Sequence, residues 1–248
     1  LSDNFLSHEY EITIPWFELK RGLAGIAHIR RKEGLTVKYS EFAEQLIQDV
    51  VADKKSIKEK NSAIEIDESR FEQIIKDSGF NRKLKGEQIR DALSLLKLKH
   101  GANFSVPGAG KTTTILAVYT VLKKLNKVSK LFVIAPINAF ISWQDEINEI
   151  FGKKMLQIQR LQRNHFEDHS FIRESDPDVI LVNYEKLRRD ISQLVPYFLY
   201  NKVHLILDES HRVKSGMNNI SYSQIIKIAD LAKRRDILSG TPMPQSYI

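Results

Sequence analysis

Apolar and polar positions alternate in blocks along residues 81–248, and these blocks predict strands and helices in turn. Short apolar runs such as 203–207 are typical of strands, whereas the longer segments between them suit helices. The predicted helices cover 86–98, 112–125, 139–151 and 222–233, with short helices before residue 203. The predicted strands cover 102–106, 131–135, 155–159, 179–183, 203–207 and 236–239. Because apolar strands separated by helices form parallel sheets buried on both faces, we predict a three-layer α/β domain.

Residues 1–80 follow a different pattern, with one predicted strand over 9–14 and two predicted helices over 37–52 and 67–77. A polar, Lys-rich segment, DKKSIKEKNSA, lies between the two helices and indicates a solvated loop or linker. The basic stretch RGLAGIAHIRRKEG could contact DNA or pack as part of an accessory segment. We therefore predict a mainly helical N-terminal accessory segment over 1–80 and an α/β domain over 81–248.

Composition narrows the class of protein. With 42% hydrophobic residues the 248-residue chain can build a sizeable core, and no apolar run reaches the length of a membrane span. The absence of cysteine excludes disulfides and thiolate metal sites and favours an intracellular protein, cytoplasmic or nucleoid-associated in a bacterium and nuclear in a eukaryote. A net charge of +7 leaves open a nucleic-acid partner or a merely basic surface.

The loop SVPGAGKT, residues 105–112, resembles a phosphate-binding loop of the form G-x-x-x-x-G-K-[ST], with Ser105 at the position of the first glycine. Gly108 and Gly110 can adopt positive φ, which turns backbone N–H groups towards a phosphate. Lys111 would reach the β- and γ-phosphates, and Thr112 would offer its hydroxyl to Mg²⁺. A predicted strand precedes the loop and a predicted helix follows it, as such a site requires. The alternative is a glycine turn without a ligand.

An acidic pair, Asp208 and Glu209, follows the predicted strand 203–207 directly. Ligands of open α/β sheets bind at the carboxyl ends of the strands, where this pair would lie. Asp208 would hold Mg²⁺ and Glu209 would polarise the attacking water. Without the phosphate-binding loop, the pair could simply end the strand.

Six sequence motifs occur in the same order as in the first ATPase lobe of superfamily 2 helicases, over about residues 84–245. They are LKGEQ (84–88), the phosphate-binding loop, AP (135–136) with Trp143 and Glu146, NYEKLRRD (183–190), DESHRVK (208–214) and SGTP (239–242). The chain resembles in particular the Swi/Snf-type double-stranded DNA translocases. This resemblance implies a RecA-like P-loop NTPase lobe that uses ATP and Mg²⁺.

The resemblance also implies roles for individual residues. The implied catalytic residues are Lys111, Asp208 and Glu209, and the implied metal ligands are Thr112 and Asp208. The implied nucleotide-binding residues are Gln88, which would read the adenine edge, Pro107, Gly108, Ala109, Gly110, Lys111, Thr112 and Thr113. His211, Ser239 and Thr241 would couple the nucleotide state to the DNA surface. Trp143 is interpreted as a packing residue of its helix.

Contacts with nucleic acid are expected at Pro136, Asn138, Arg188 and Arg189. The first two open a predicted helix, where backbone N–H groups can hold a DNA phosphate. The arginine pair could add cationic contacts to the same strand, or could form a solvated helix face.

The predicted function is that of the N-terminal motor lobe of an ATP-dependent translocase on double-stranded DNA. We expect a second RecA-like lobe C-terminal to it, with an arginine finger, and therefore little hydrolysis by this lobe alone. Two alternatives remain open: a nucleotide-sensing DNA-binding module with little turnover, and an RNA helicase.

Overall fold

The computed structural model of the protein describes residues 14, 16–41, 43–45, 47, 48, 51, 64–152, 156–161, 172, 175–210 and 220–240. The chain divides into two compact units, residues 1–61 and 62–248. Within the described residues, no helix is long and apolar enough to span a membrane.

The first unit contains helix α1 (Trp16–Glu33), whose last turn carries Arg30, Arg31 and Lys32. Most of the basic stretch at 21–34 is therefore helical, although Gly22 and Gly25 lower its helix propensity and obscure the pattern in the sequence. The described residues between 41 and 51 are helical too, within the predicted helix 37–52. Of the predicted strand 9–14, only residue 14 is described, and it lies outside any strand.

The described strands of the second unit form one sheet in which every pairing is parallel. They are β1 (Gly101–Asn103), β2 (Lys130–Ile134), β3 (Ile158–Leu161), β4 (Val179–Val182), β5 (Val203–Leu207) and β6 (Arg234–Leu238). Their order across the sheet is β1-β6-β5-β2-β4-β3. The predicted parallel sheet is confirmed.

Helices cover both faces of this sheet. They are α2 (Glu68–Asp77), α3 (Gly86–Leu96), α4 (Lys111–Lys124), α5 (Ala139–Phe151), α6 (Tyr184–Tyr200) and α7 (Ile220–Ala229). Side chains of β2 alternate between two cores: Leu131 and Val133 pack with α2 to α5, whereas Phe132 and Ile134 pack with α6 and α7. The result is the predicted three-layer arrangement, because a strand buried on both faces must supply apolar residues to each.

Several element bounds differ from the predicted ones. Strand β1 ends at Asn103 rather than at 106, because the Asn103 side chain accepts the backbone N–H of Ser105 at 2.9 Å and turns the chain. Strand β3 begins at Ile158 rather than at 155, although residue 155 itself lies outside the described residues. Helix α7 ends at Ala229, and β6 begins at Arg234, two residues earlier than predicted.

The boundary between the two units, at 61/62, also differs from the predicted boundary at 80/81. Helix α2 explains the difference, since its buried residues Phe71, Ile74 and Ile75 belong to the same core as α3 and α4. Its start is fixed by Asp67, whose side chain accepts the backbone N–H of Arg70 at 2.7 Å.

A buried polar cluster joins three strands at the amino edge of the sheet. Asp236 is fully buried; its carboxylate lies 2.7 Å from His204 Nε2, and it accepts hydrogen bonds from Arg234 Nε at 2.7 Å and Gly101 N at 2.6 Å. Although burial opposes ionisation, the partners His204 and Arg234 lower the pKa of Asp236 to about 2. The carboxylate therefore stays charged and links edge strand β1 to β6 and β5.

His100, which precedes β1, predicts a pH dependence of stability. Burial and the nearby cations Arg235, Lys99 and Arg234 lower its pKa from 6.5 to about 4. As the pH falls from about 6.5 to about 4, the unfolded chain gains a proton that the folded chain does not, so the free energy of unfolding decreases over this range. Urea unfolding at a series of pH values measures the decrease, which becomes shallower in His100→Gln. An NMR titration of His100 with a midpoint near 6.5 would contradict this account.

Candidate nucleotide site

Four loops meet at the carboxyl edge of the sheet. They follow β1 (104–110), β2 (135–138), β5 (208–210) and β6 (239–240), and the strands that precede them are neighbours in the order β1-β6-β5-β2. Because all these strands are parallel, their carboxyl ends lie on the same side. The phosphate-binding loop and the acidic pair, which are far apart in the sequence, are therefore brought to one edge.

Close contacts place the loop after β6 directly against the phosphate-binding loop. A Cβ atom at Gly240 would lie 3.0 Å from Pro107 Cγ and 3.6 Å from Lys111 Nζ. A side chain at this position would therefore crowd Pro107, whereas its contact with Lys111 would be an ordinary one.

The phosphate-binding loop has the backbone that its glycines predict. Gly108 has φ +82° and Gly110 has φ +80°, and α4 begins immediately afterwards at Lys111. The first N–H groups of α4 have no partner within the helix and can serve an anion. The Lys111 ammonium donates to the carbonyl oxygens of Ser105 at 3.0 Å and Val106 at 3.3 Å, so it lies folded back over its own loop.

Ser105 replaces the first glycine of the loop pattern, and its hydroxyl has polar neighbours. The oxygen lies 2.6 Å from Asn103 Oδ1 and 3.2 Å from Asp91 Oδ2. A side chain at this position therefore ties the end of β1 to α3 and does not enter the loop.

Gln88, predicted to read adenine, is buried and already bonded at both ends of its amide. Its Oε1 accepts the backbone N–H of Lys85 at 2.9 Å, and its Nε2 donates to the carbonyl of Ala109 at 3.3 Å. Its Nε2 would lie 2.2 Å from a Cβ atom at Gly110. Gln88 thus holds α3 against the phosphate-binding loop, a contact that the sequence did not suggest, and its adenine role stays a prediction.

Thr113, predicted in the nucleotide-binding set, faces the protein interior. Its hydroxyl donates to the carboxylate of Glu146 on α5, which also receives Arg82. Arg82 extends further to Glu149, with a nitrogen–oxygen distance of 3.1 Å. The bonds among Thr113, Glu146 and Arg82 therefore hold α4 against α5. Thr112 is closer than Thr113 to the loop in the sequence and remains the predicted Mg²⁺ ligand.

Asp208 is held from three directions. Its Oδ2 accepts the indole N–H of Trp143 at 2.8 Å, and its Oδ1 accepts the backbone N–H of Glu209 at 2.9 Å. The hydroxyl of Tyr184 donates to its main-chain carbonyl at 2.5 Å. Trp143 is buried in the core as predicted, but the interpretation as a packing residue missed its bond to the acidic pair.

Burial raises the pKa of Asp208, while the hydrogen bonds from Trp143 and from the backbone of Glu209 act in the opposite direction. The backbone of Glu209 is left-handed, with φ +50°. Such a conformation is uncommon for residues other than glycine and concentrates at functional sites.

The residues present fit a magnesium ion bound together with phosphates. Within the described residues, no group of three or more His, Cys, Asp or Glu could hold a metal alone. Mg²⁺ in proteins usually takes one or two carboxylates and completes its shell with water and substrate phosphates. Asp208 at the edge of the phosphate-binding loop meets that requirement.

Two of the four predicted nucleic-acid residues, Pro136 and Asn138, line a shallow pocket of about 190 Å³. It is lined by Pro136, Ile137, Asn138, Asn183, Tyr184 and Glu185. The starts of α5 and α6 flank it, and the side chain of Asn183 accepts the backbone N–H of Lys186 at 2.7 Å to cap α6. Arg188 and Arg189 lie on α6, but their side chains are outside the described part of the chain.

Of the three predicted coupling residues, only Ser239 is described. It is buried, and its backbone N–H donates to the carbonyl of Asn103 at 3.2 Å, which joins the ends of β6 and β1 beside the phosphate-binding loop. His211 and Thr241 lie outside the described residues.

Residues 104–248 match the model of the SNF2-related domain, which covers more than half of the chain. The chain belongs to the SNF2-related domain family. The predicted resemblance to a Swi/Snf-type ATPase lobe of superfamily 2 is thus confirmed.

Curated relatives of this SNF2-related chain are much longer. It is 30% identical over 139 residues to the nuclear protein STH1/NPS1 of Saccharomyces cerevisiae, which covers 55% of this chain and 10% of that protein. It is 27% identical over 150 residues to a Caenorhabditis elegans homologue of the SWI/SNF-related regulator of chromatin that contains DEAD/H box 1. This second match covers 57% of this chain and 14% of that protein. The chain therefore spans about a tenth of the length of these relatives.

Solved structures confirm the fold. The SWI2/SNF2 ATPase core domain of Sulfolobus solfataricus has a TM-score of 0.53 at 25% identity, covering 66% of this chain and 32% of that one. The structure of the same core in complex with double-stranded DNA has a TM-score of 0.51 at 23% identity, and the match covers 66% of this chain and 33% of that one. The predicted RecA-like architecture therefore holds for the α/β unit.

Gly110 and Gly108 provide a matched test of the contact with Gln88. Alanine at either position is strained by about 1–2 kcal/mol because φ is positive, but only at Gly110 would the methyl group overlap Gln88. We expect Gly110→Ala to lower the free energy of unfolding more than Gly108→Ala in urea titrations. In a Gln88→Ala background the two substitutions should cost the same. Equal costs in the wild-type background would contradict the close contact between Gly110 and Gln88.

Proposed function

We propose that this chain is the first, ATP-binding lobe of a DNA-dependent ATPase that couples hydrolysis to movement along duplex DNA. The observation that supports it best is the meeting of Lys111, Asp208 and Gly240 at one edge of the sheet, beside the pocket where α5 and α6 begin. A nucleotide at this edge would lie next to elements suited to a DNA phosphate. Membership of the SNF2-related domain family supports the same function.

The proposed nucleotide chemistry depends on side chains of the phosphate-binding loop and of the acidic pair. Lys111 would exchange its two carbonyl partners in the loop for β- and γ-phosphate oxygens, and Thr112 with Asp208 would hold Mg²⁺. Bound Mg²⁺ would neutralise charge that develops on the phosphates. Glu209 would orient and deprotonate the attacking water. Gln88 would keep the phosphate-binding loop in place beside the adenine.

The contact with DNA is proposed at the pocket between α5 and α6. The backbone N–H groups of Ile137 and Asn138 lie just before the start of α5, where they would bind a phosphate without reading sequence. Arg188 and Arg189 would add cationic contacts one to two turns into α6. The net charge of +7 fits a polyanionic partner.

The protein that contains this lobe is proposed to carry a second RecA-like lobe C-terminal to it. The chain covers about a third of each Sulfolobus ATPase core. That second lobe would then supply further groups to the nucleotide site, including the expected arginine. An intracellular location fits this proposal, since one relative is named a nuclear protein.

Substitutions in the protein that carries this lobe test the function. Lys111→Ala should abolish nucleotide binding, whereas Glu209→Gln should retain binding and lose at least about 10²-fold in turnover, because only the base is removed. Lys127→Ala changes an exposed lysine near the opposite edge of the sheet and serves as the control. The measurement is the ATPase rate with duplex DNA, single-stranded DNA and RNA compared side by side.

The ATPase rates with the three nucleic acids distinguish the translocase from the two alternative functions. Stimulation by duplex DNA supports the translocase, and stimulation by RNA alone would replace it with an RNA helicase. Nucleotide binding without turnover, unaffected by Glu209→Gln, would favour the nucleotide-sensing module.

The 248-residue chain by itself should hydrolyse ATP slowly. An arginine supplied by the second lobe would be worth about 10³–10⁵ in rate, so the isolated lobe should fall below the longer protein by that factor. Single-turnover measurements with excess chain check this. DNA-stimulated rates equal to those of the longer protein would show that no second lobe is needed.

A further inference from the structure

Two aromatic side chains from different helices converge on Asp208. Trp143 of α5 donates to its carboxylate at 2.8 Å, and Tyr184 of α6 donates to its main-chain carbonyl at 2.5 Å. The residues are 65 and 24 positions away from Asp208 in the sequence. Asp208 is therefore tied both to the helix after β2 and to the helix after β4.

Both helices begin at the pocket proposed to hold a DNA phosphate. Asn138 lines that pocket and precedes α5, so Trp143 lies little more than one turn inside the helix. Tyr184 is the first residue of α6, and it lines the pocket while its hydroxyl reaches Asp208. A ligand in the pocket would therefore touch the same side chain that supports the acidic residue.

The position of Trp143 allows little movement of its indole. The side chain is 1% exposed and packs within the core beneath α5, and its N–H can act only as a donor. A hydrogen bond to a carboxylate is charge-assisted and directional, so it fixes the carboxylate plane. A carboxylate has about four lone-pair sites, so those of Asp208 that Trp143 and Glu209 do not use remain available to a metal ion.

Helix α5 is also fixed to the other side of the nucleotide site. Glu146, one turn after Trp143, binds Thr113 of α4, which starts at the phosphate-binding loop. One face of α5 therefore contacts both the acidic residue and the helix that carries Lys111. A shift of α5 would change both parts of the site together.

We propose that Trp143 and Tyr184 are positioning residues that orient Asp208 for Mg²⁺ and link occupancy of the pocket between α5 and α6 to the Mg²⁺ affinity of the nucleotide site. This inference rests on the proposed ATP-binding function of Lys111 and Asp208. It adds a route from the nucleic-acid pocket to the metal that is separate from the predicted coupling residue Ser239. Linkage then requires that Mg²⁺ bound at Asp208 strengthens binding of a phosphate ligand in the pocket by the same factor.

Calorimetry on the 248-residue chain tests the positioning role. The measured quantity is the Mg²⁺ concentration that gives half-maximal saturation of the complex with ADP. Groups that orient metal ligands typically contribute 10–100-fold to affinity, so we expect Tyr184→Phe and Trp143→Phe each to raise this concentration about 10-fold. Binding of ADP without Mg²⁺ should stay unchanged, because the hydrogen bonds that these substitutions remove go to Asp208.

Tyr197→Phe is the matched control. Tyr197 lies on the same helix as Tyr184, is buried, and donates its hydroxyl to the carbonyl of Pro177 at 3.1 Å, away from the nucleotide site. It should leave the Mg²⁺ midpoint unchanged. Tyr184→Phe removes a single hydroxyl group and keeps the test valid even if Trp143→Phe does not fold.

A short DNA duplex added to the wild-type complex with ADP tests the link to the pocket. The duplex should lower the Mg²⁺ midpoint, and this shift should be lost in Tyr184→Phe and kept in Tyr197→Phe.

In a Trp16→Phe background Trp143 is the only tryptophan of the chain, so a change in its emission on adding Mg²⁺ reports directly on the bond to Asp208.

The results separate the inference from the proposed function. We expect loss of ADP binding only in Lys111→Ala. If the wild-type chain also failed to bind ADP, the nucleotide site itself would be overturned. The positioning role alone would be overturned by a different result. In that case ADP binds normally, and the Mg²⁺ midpoints of Tyr184→Phe and Trp143→Phe equal the midpoint of Tyr197→Phe. No shift with the duplex, or a shift that survives in Tyr184→Phe, would overturn the link to the pocket.

Discussion

Burial of the parallel sheet on both faces decides where this protein can place polar chemistry. Every residue of β2 and β5 is buried, so their side chains serve the two cores and leave little room for polar groups along the strands. Polar function must therefore begin where the strands end, and at the carboxyl edge this brings Asp208 and the loop after β2 together. The polar exceptions in these two strands, Lys130 and His204, lie towards the opposite end of the sheet. The Lys130 ammonium donates to the carbonyl of Asp176 at 2.7 Å, and His204 Nε2 lies 2.7 Å from the carboxylate of Asp236.

The local pattern of the chain was enough to predict the elements that dominate this arrangement. Helix α5 and strand β5 have their predicted bounds, because an uninterrupted apolar run or helical spacing leaves few alternatives. Helix α1 was not recognised, since two glycines dilute its pattern and its polar residues resemble a loop. The place of α2 in the main core was also missed, because a short amphipathic helix does not reveal the surface on which it packs.

The site was predictable in its backbone and much less so in its side-chain partners. Glycines at 108 and 110 followed by Lys111 specify a loop whose geometry depends on neighbours in sequence. The bonds of Gln88 to Ala109 and of Trp143 to Asp208 join residues far apart in the chain, so only the packing of whole helices determines them. Family resemblance named several of these positions but not the groups that they contact.

Glu209 has a left-handed backbone and is also the residue proposed to activate water, so stability and the proposed turnover would place opposite demands on this position. Glycine would relieve about 1–2 kcal/mol of steric strain there, and it is the residue that a search for a more thermostable lobe would choose. The same change would remove the carboxylate next to Asp208. If Glu209 acts as proposed, engineering of this lobe for heat resistance would have to keep the strained residue and raise stability at other positions of the fold.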